Sequence, residues 1–296
     1  MSKPTLLVTG AGGHLGRKVV ETLLDQEAGP IIATTRKPEA LADLAARGVA
    51  VRRADFDDPA SLAAAFSGAE RLLLVSTDAL DAPGRRLAQH RAAVAAAEAA
   101  GVAHVVYLSA PAPHPTPTSS LIGDHYWTEQ ALAASGLDWT FLRDHIYSEI
   151  ILVGIGHALE TGQLFTATGS GGRSYVSRDD CARTAAAALA GATNGRTILD
   201  VTGPAAVTQN EIAALVSALS GRTVTHIPVP AEGLRQGLTA AGLPPLMVDG
   251  LVAFDVAAAQ GHHAIVTDTV ERLTGRKPVS VADFLTAHRA ALGTPA

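Results

Sequence analysis

Cysteine is nearly missing from this chain: Cys181 stands alone in 296 residues. No intrachain disulfide can form, and a cysteine-based zinc cluster is excluded. Cys181 sits in a run that reads as helix, Asp179-Asp180-Cys181-Ala182-Arg183, where a small buried or half-buried side chain is the plain interpretation. Long strongly apolar runs are lacking too, because the longest apolar stretches are mostly alanine and none reaches the ~20 residues that span a bilayer. The apolar start, Thr5-Leu6-Leu7-Val8, gives way to glycines too soon for a signal peptide. No basic stripe accompanies the net charge of −5, and the Lys and Arg residues are scattered, which argues against a nucleic-acid partner. A cytoplasmic protein without a membrane partner is expected; a homodimer is left open. No Gly-x-Ser-x-Gly elbow points to hydrolysis. The His262-His263 pair has no spaced carboxylate, so it reads as a solvated loop and not a metal site.

What the chain does contain is enough apolar residue, 47%, to fill one large α/β domain and a smaller appendage. Strand and helix patterns alternate through the first half, as in a parallel sheet covered on both faces. Strands are predicted at 5–8, 30–35, 49–55, 71–76, 104–109 and 138–143, with a last one at 197–201. Helices are predicted at 39–47, 58–68, 83–100 and 123–134. His90, in the stripe Leu87, His90, Val94, Ala97, reads as a helix-face residue and not a ligand. Beyond Tyr147 the pattern loosens, although Thr208-Gln209-Asn210-Glu211 has the form of a capping box opening a helix over 212–219. Further helical runs lie near 247–259 and 281–291. The expected organisation is a dinucleotide-binding Rossmann-like domain over 1–150 and a smaller substrate-pocket region over 151–296. The two are interleaved, with 174–203 returning to the first. Residues 110–118, rich in proline, follow a central strand where ligands gather in open α/β sheets, so they read equally as an active-site wall and as a passive connector.

The chemistry begins at Thr9-Gly10-Ala11-Gly12-Gly13-His14-Leu15-Gly16, between the first strand and an amphipathic run at Leu15, Val19, Val20 and Leu23. Gly10 permits a sharp reversal, Gly13 lets backbone approach a pyrophosphate, and Gly16 allows the helix to pack against the strand. The helix start, with Gly12, His14 and Leu15, offers unpaired N–H groups and positive potential to phosphate. At the end of the second strand, where an acidic residue would hold an NAD ribose, stand Thr34-Thr35-Arg36-Lys37. A guanidinium at Arg36 suits a 2′-phosphate, so the expected cofactor is NADPH. By strand position alone, Asp55 and Phe56, Ser76 and Thr77, and Ser109 are further candidates to touch it.

The Gly-x-x-Gly-x-x-Gly spacing, Thr35-Arg36-Lys37-Pro38, and the later His125-x-x-x-Glu129 and Arg143-Asp144-His145-Ile146-Tyr147 together resemble the atypical short-chain dehydrogenase/reductases. The likeness is greatest to NmrA-like proteins of the quinone reductase and triphenylmethane reductase type, and it spans nearly the whole chain. It implies adenine contact at Asp55-Phe56 and a pocket-lining Tyr147; Asp144 stands where that family has Asn. Ordinary members carry Tyr-x-x-x-Lys in the catalytic helix, where here His125 and Glu129 occupy those places and no lysine is near. Four-residue spacing puts the two on one helical face. His125 is a candidate proton donor or substrate hydrogen-bonder, the alternative being a structural His–Glu pair with Glu129 as orienter.

Loss of Tyr-Lys favours acceptors whose own conjugation spreads the incoming hydride charge, such as quinones, azo dyes or arylmethane cations. The expectation is direct, flavin-free hydride transfer from NADPH to a small aromatic acceptor. A non-catalytic NADP(H)-binding redox sensor of the NmrA type, and a biosynthetic ketone or enone reductase, are the alternatives.

Overall fold

The computed structural model describes residues 3–116, 120–191 and 195–293. From the N-terminus run β1 (Leu6–Val8), α1 (His14–Asp25), β2 (Ile31–Thr35), a 3₁₀ turn (Pro38–Leu41), α2 (Ala42–Ala46), β3 (Ala50–Arg53), α3 (Pro59–Phe66), β4 (Arg71–Leu74), α4 (Arg85–Ala99), β5 (His104–Ser109), α5 (Leu121–Ala134) and β6 (Asp138–Asp144). Next come α6 (Glu149–Thr161), β7 (Gln163–Thr166), β8 (Gly172–Arg173), α7 (Arg178–Ala190), β9 (Arg196–Val201), β10 (Val207–Thr208), α8 (Gln209–Ser220) and β11 (Thr225–Pro228). The chain ends with α9 (Ala231–Ala240), α10 (Pro245–Ala259), α11 (Thr269–Thr274), α12 (Val281–Ala287) and a second 3₁₀ turn (Arg289–Leu292).

Seven strands form one sheet in the order β3-β2-β1-β4-β5-β6-β9. The pairings among β1 to β6 are parallel, and the bonds from Trp139 N–H to Gly195 O and from His145 N–H to Val201 O run β9 the same way. This is the Rossmann-like α/β arrangement, with its order reversing between β1 and β4, where such sheets open a ligand crevice. The central strands are apolar on both faces, as helix-covered strands should be. Leu7, Leu72, Leu74, Val105, Tyr107 and Phe141 face one core with Leu62, Phe66, Val94 and Leu132 from α3, α4 and α5, while the alternate residues Leu6, Val8, Leu73 and Val106 are buried on the other face.

Contacts divide the chain into two compact units. One takes in residues up to Arg143 with Cys181–Leu199; the other comprises Asp144–Asp180 and the chain from Asp200 onward. The second unit has its own core of Ile146, Ile151, Ile155, Tyr175, Ile212, Val216, Phe284 and Leu285. It carries two small pairings, β8 antiparallel to β10 and β7 parallel to β11.

Local chemistry explains several helix starts. Asp58 caps α3 through Ser61 N–H with Pro59 in its first turn, and Ser120 caps α5 through Gly123 N–H. The capping box at Thr208 and Glu211 forms with both of its bonds. Other boundaries depart from the sequence pattern. The helix expected over 39–47 is a 3₁₀ turn led by Pro38 and then the short α2, and the run over 281–291 breaks at His288 into α12 and a 3₁₀ turn. The loosely patterned region after Tyr147 is helical over α6, where β-branched Ile150, Ile151 and Val153 obscured the period; it ends at Gly162 with φ 73°.

Candidate cofactor and active site

Past the C-terminal end of β1, Gly10 takes φ 62° and its carbonyl accepts the N–H of Gly13 at 2.9 Å, closing a tight turn. A Cβ on Gly16 would lie 2.4 Å from Gly10 O, so only glycine lets α1 start against this turn. A Cβ on Gly12 would meet Thr35 Oγ1 at 2.8 Å. Gly13 precedes α1 in extended conformation and supplies no side-chain cap, which leaves the first N–H groups of the helix for a ligand. Gly10, Gly12, Gly13 and His14 are exposed and Leu15 partly so. This bare, uncapped helix start fits a pyrophosphate.

Arg36 follows β2, exposed, and among the described residues its guanidinium makes no hydrogen bond or ion pair. Asp57 lies within its field, yet that carboxylate belongs first to Arg85, whose hydrogen bond, with that of Gln89, holds it down to about 2. Asp55 turns its carboxylate to the N–H of Asp57, and Phe56 is partly buried against the core cluster. Beyond β4, the N–H of Val75 donates to Thr9 Oγ1 at 2.9 Å, and Ser76 and Thr77 are half-buried.

On α5, His125 and Glu129 share one face and both are buried, but they do not pair with each other. Arg86 Nη2 donates to His125 Nε2 at 3.0 Å. Since arginine can only donate, the neutral ring carries its proton on Nδ1 and donates it to Tyr107 Oη at 2.8 Å. Thr128, beside the phenol, donates through Oγ1 to Asp124 O at 2.7 Å. His90 completes the set: its Nε2 accepts the Thr77 N–H at 3.0 Å, so its Nδ1–H donates to Thr128 Oγ1 at 2.9 Å. These tautomers are assigned from the partners. Burial, with Arg86 second, holds both His90 and His125 well below the usual imidazole range, so both rings are neutral. The one N–H of His125 therefore rests on Tyr107.

Glu129 has different company. Arg143 grips it with two bonds, Nε to Oε1 at 3.0 Å and Nη2 to Oε2 at 2.7 Å, and Ser109 Oγ donates to Oε1 at 2.7 Å. Thus an ion pair from the end of β6, together with the serine that ends β5, takes the place of the expected His–Glu contact. Tyr147, in the second unit, donates to Asp144 Oδ2 at 3.3 Å and has the Arg178 guanidinium 5.2 Å over its ring.

No sequence motif marks Arg86 or Tyr107, Arg143 enters only as the first residue of the Arg143–Tyr147 pattern, and His90 reads as a helix-face residue. The available signal was the buried stripe of α4, in which Arg86 stands one turn before His90, Val94 and Ala97. One expectation is corrected: His262 is exposed, but His263 is buried, its ring tilted at 45° to that of Phe254 with centroids 5.8 Å apart, and lowered to about 4 by burial, not solvated. Among the described residues no three His, Cys, Asp or Glu side chains form a metal-binding group, and no helix is long and apolar enough to cross a membrane. Of the proline-rich segment 110–118, Pro117 and Thr118 lie outside the described residues.

A family model described as NAD(P)H-binding matches residues 10–192. The chain is 35% identical over 279 residues to quinone oxidoreductase 2 of Escherichia coli (strain K12), covering 94% of this chain and 96% of that protein. It is 30% identical over 291 residues to an NAD(P)H azoreductase of Xenophilus azovorans, covering 97% and 99%. The crystal structure of the Escherichia coli NADPH-dependent quinone oxidoreductase complexed with NADPH is similar at TM-score 0.89 and 34% identity, covering 96% and 99%. That of Citrobacter sp. triphenylmethane reductase complexed with NADP(H) is similar at 0.86 and 31%, covering 95% and 99%.

Proposed function

The chain belongs to the NAD(P)H-binding family and is an NADPH-dependent reductase, and from that premise we propose that it passes hydride directly to a quinone or another conjugated aromatic acceptor. The nicotinamide supplies the hydride when bound. Gly10 to Gly16 and the start of α1 hold the pyrophosphate, Arg36 with Lys37 the 2′-phosphate, and Ser76, Thr77 and Ser109 line the far half of the dinucleotide. Asp55 and Phe56 border the adenosine.

The observation that carries the choice of acceptor is the state of the two α5 side chains in the Tyr-Lys places. His125 is neutral with its Nδ1–H committed to a hydrogen bond to Tyr107, and Glu129 is an acceptor for Arg143 and Ser109. Neither has a proton to give an alkoxide forming on a simple ketone. Quinones, azo dyes and arylmethane cations spread the arriving charge themselves and take any proton from water. In this reading His125 and Glu129 are positioning residues.

The test is anaerobic NADPH oxidation by flavin-free protein against quinones, azo dyes, triarylmethane dyes and enones, with NADH in parallel. Turnover on the conjugated acceptors with a preference for NADPH is expected. Tight NADPH binding with no acceptor consumed would replace this reading with a redox sensor, and turnover confined to enones or ketones with a biosynthetic reductase.

A further inference from the structure

We propose that Arg86 and His90 of α4 are positioning residues for the dinucleotide, clamping the peptide of Thr77 and so fixing the wall of the cradle beyond β4. The inference rests on NADPH occupying that cradle.

The wall is close to the glycine turn. A Cβ on Gly10 would touch Val75 Cβ at 3.4 Å, and the Val75 N–H is tied to the hydroxyl of Thr9 at the end of β1. Two residues on, both polar groups of the Thr77 backbone go to side chains one helical turn apart. Thr77 N–H donates to His90 Nε2 at 3.0 Å, and Arg86 Nε donates to Thr77 O at 2.7 Å. Loop peptides ordinarily find water or backbone, and a guanidinium buried to 2% exposure is costly to keep unless its fork holds something. Here the fork holds two things, Thr77 O through Nε and His125 Nε2 through Nη2, while Nη1 lies 3.6 Å from Asp124 Oδ2. One side chain thereby sets the cradle wall and α5 against each other. Burial keeps His90 neutral, which leaves the Nε2 lone pair available to the Thr77 amide.

Two isosteric substitutions separate this role from simple core packing. In His90→Gln the amide oxygen reaches as far as Nε2 and keeps an acceptor for Thr77 N–H while giving up Thr128. In His90→Asn the amide nitrogen reaches as far as Nδ1, keeps the Thr128 bond and gives up Thr77. NADPH and adenosine 2′,5′-bisphosphate, which lacks the nicotinamide half, are titrated against each variant and wild type. Loss of a positioning hydrogen bond should weaken NADPH about tenfold in His90→Asn. The bisphosphate should bind it as it binds wild type, and His90→Gln should stay within about threefold for both ligands. Arg86→Lys, which keeps the charge but not the fork, should follow His90→Asn. Equal NADPH losses in His90→Gln and His90→Asn, unchanged NADPH binding in His90→Asn, or a parallel loss of the bisphosphate overturns the clamp. Hydrogen exchange on ligand-free wild type reads the clamp without mutation: the Thr77 amide should be protected, and rapid exchange there overturns it. Wild type that binds neither ligand would instead sink the cofactor site itself.

Discussion

Arg36 is an exposed guanidinium that makes no hydrogen bond or ion pair among the described residues, and the proposed partner is the 2′-phosphate. Arg36→Ala should raise the NADPH dissociation constant by about ten- to a hundredfold while changing NADH little, as parallel titrations would show. Gly16 makes the opposite kind of contribution, by having nothing to offer but space. A methyl 2.4 Å from Gly10 O must push α1 away, so Gly16→Ala should lower stability by about 1–3 kcal/mol in denaturant unfolding and weaken NADPH with it. His125 gives a sharper division. If it holds Tyr107 and Arg86, removing it should lower kcat for a quinone and for a triarylmethane cation by the same factor; a proton donor would lose the quinone and spare the cation, whose reduction needs no proton. The glycine turn could be read from sequence because its geometry is local. The partners of His125 could not, since Tyr107 and Arg86 lie 18 and 39 residues away and only the packing of α4, β5 and α5 brings them together.

At the scale of elements, legibility followed the strength of local signals. The strands flanking the glycine turn are short apolar runs ended by turn residues, and they stand where the pattern put them. The box at Thr208 and Glu211 announced α8, and Thr208→Ala should cost about 1 kcal/mol of stability, measured by denaturant unfolding, with Glu211→Gln costing less. α6 was hidden because its apolar residues run consecutively from Ile150 to Val153 and lie partly on the solvent side, with Val153 at 86% exposure. Length misled over 39–47, where Pro38 opens a 3₁₀ turn and α2 is only 5 residues long. α5 was placed correctly, and its His125 and Glu129 do share a face; spacing along a helix sets which way two side chains point, not what meets them there.

For the whole molecule, buried histidine sets the response to acid. His90, His104, His125, His226 and His263 are all lowered, chiefly by burial, with His104 and His263 near 4. The unfolded chain takes up protons near the usual 6.5 while the folded chain resists until about 4, so between these values unfolding binds protons. Stability should therefore fall as pH drops below about 6.5, by up to about 1.4 kcal/mol per pH unit for each such ring. Asp124, raised by burial, works the other way and is one group against five. Urea midpoints at neutral pH and at pH 5 check the slope, and equal midpoints would contradict it. The proposed function rests on a narrower point, that hydride passes directly from nicotinamide to a conjugated acceptor. Anaerobic reduction of a cationic triarylmethane dye with NADPH deuterated at the transferring C4 position tests this most directly, because the new C–H bond at the central carbon does not exchange with water. The account predicts one deuterium on that carbon and a primary isotope effect on turnover. A leuco dye carrying protium there, or no leuco dye from protein saturated with NADPH, would contradict it.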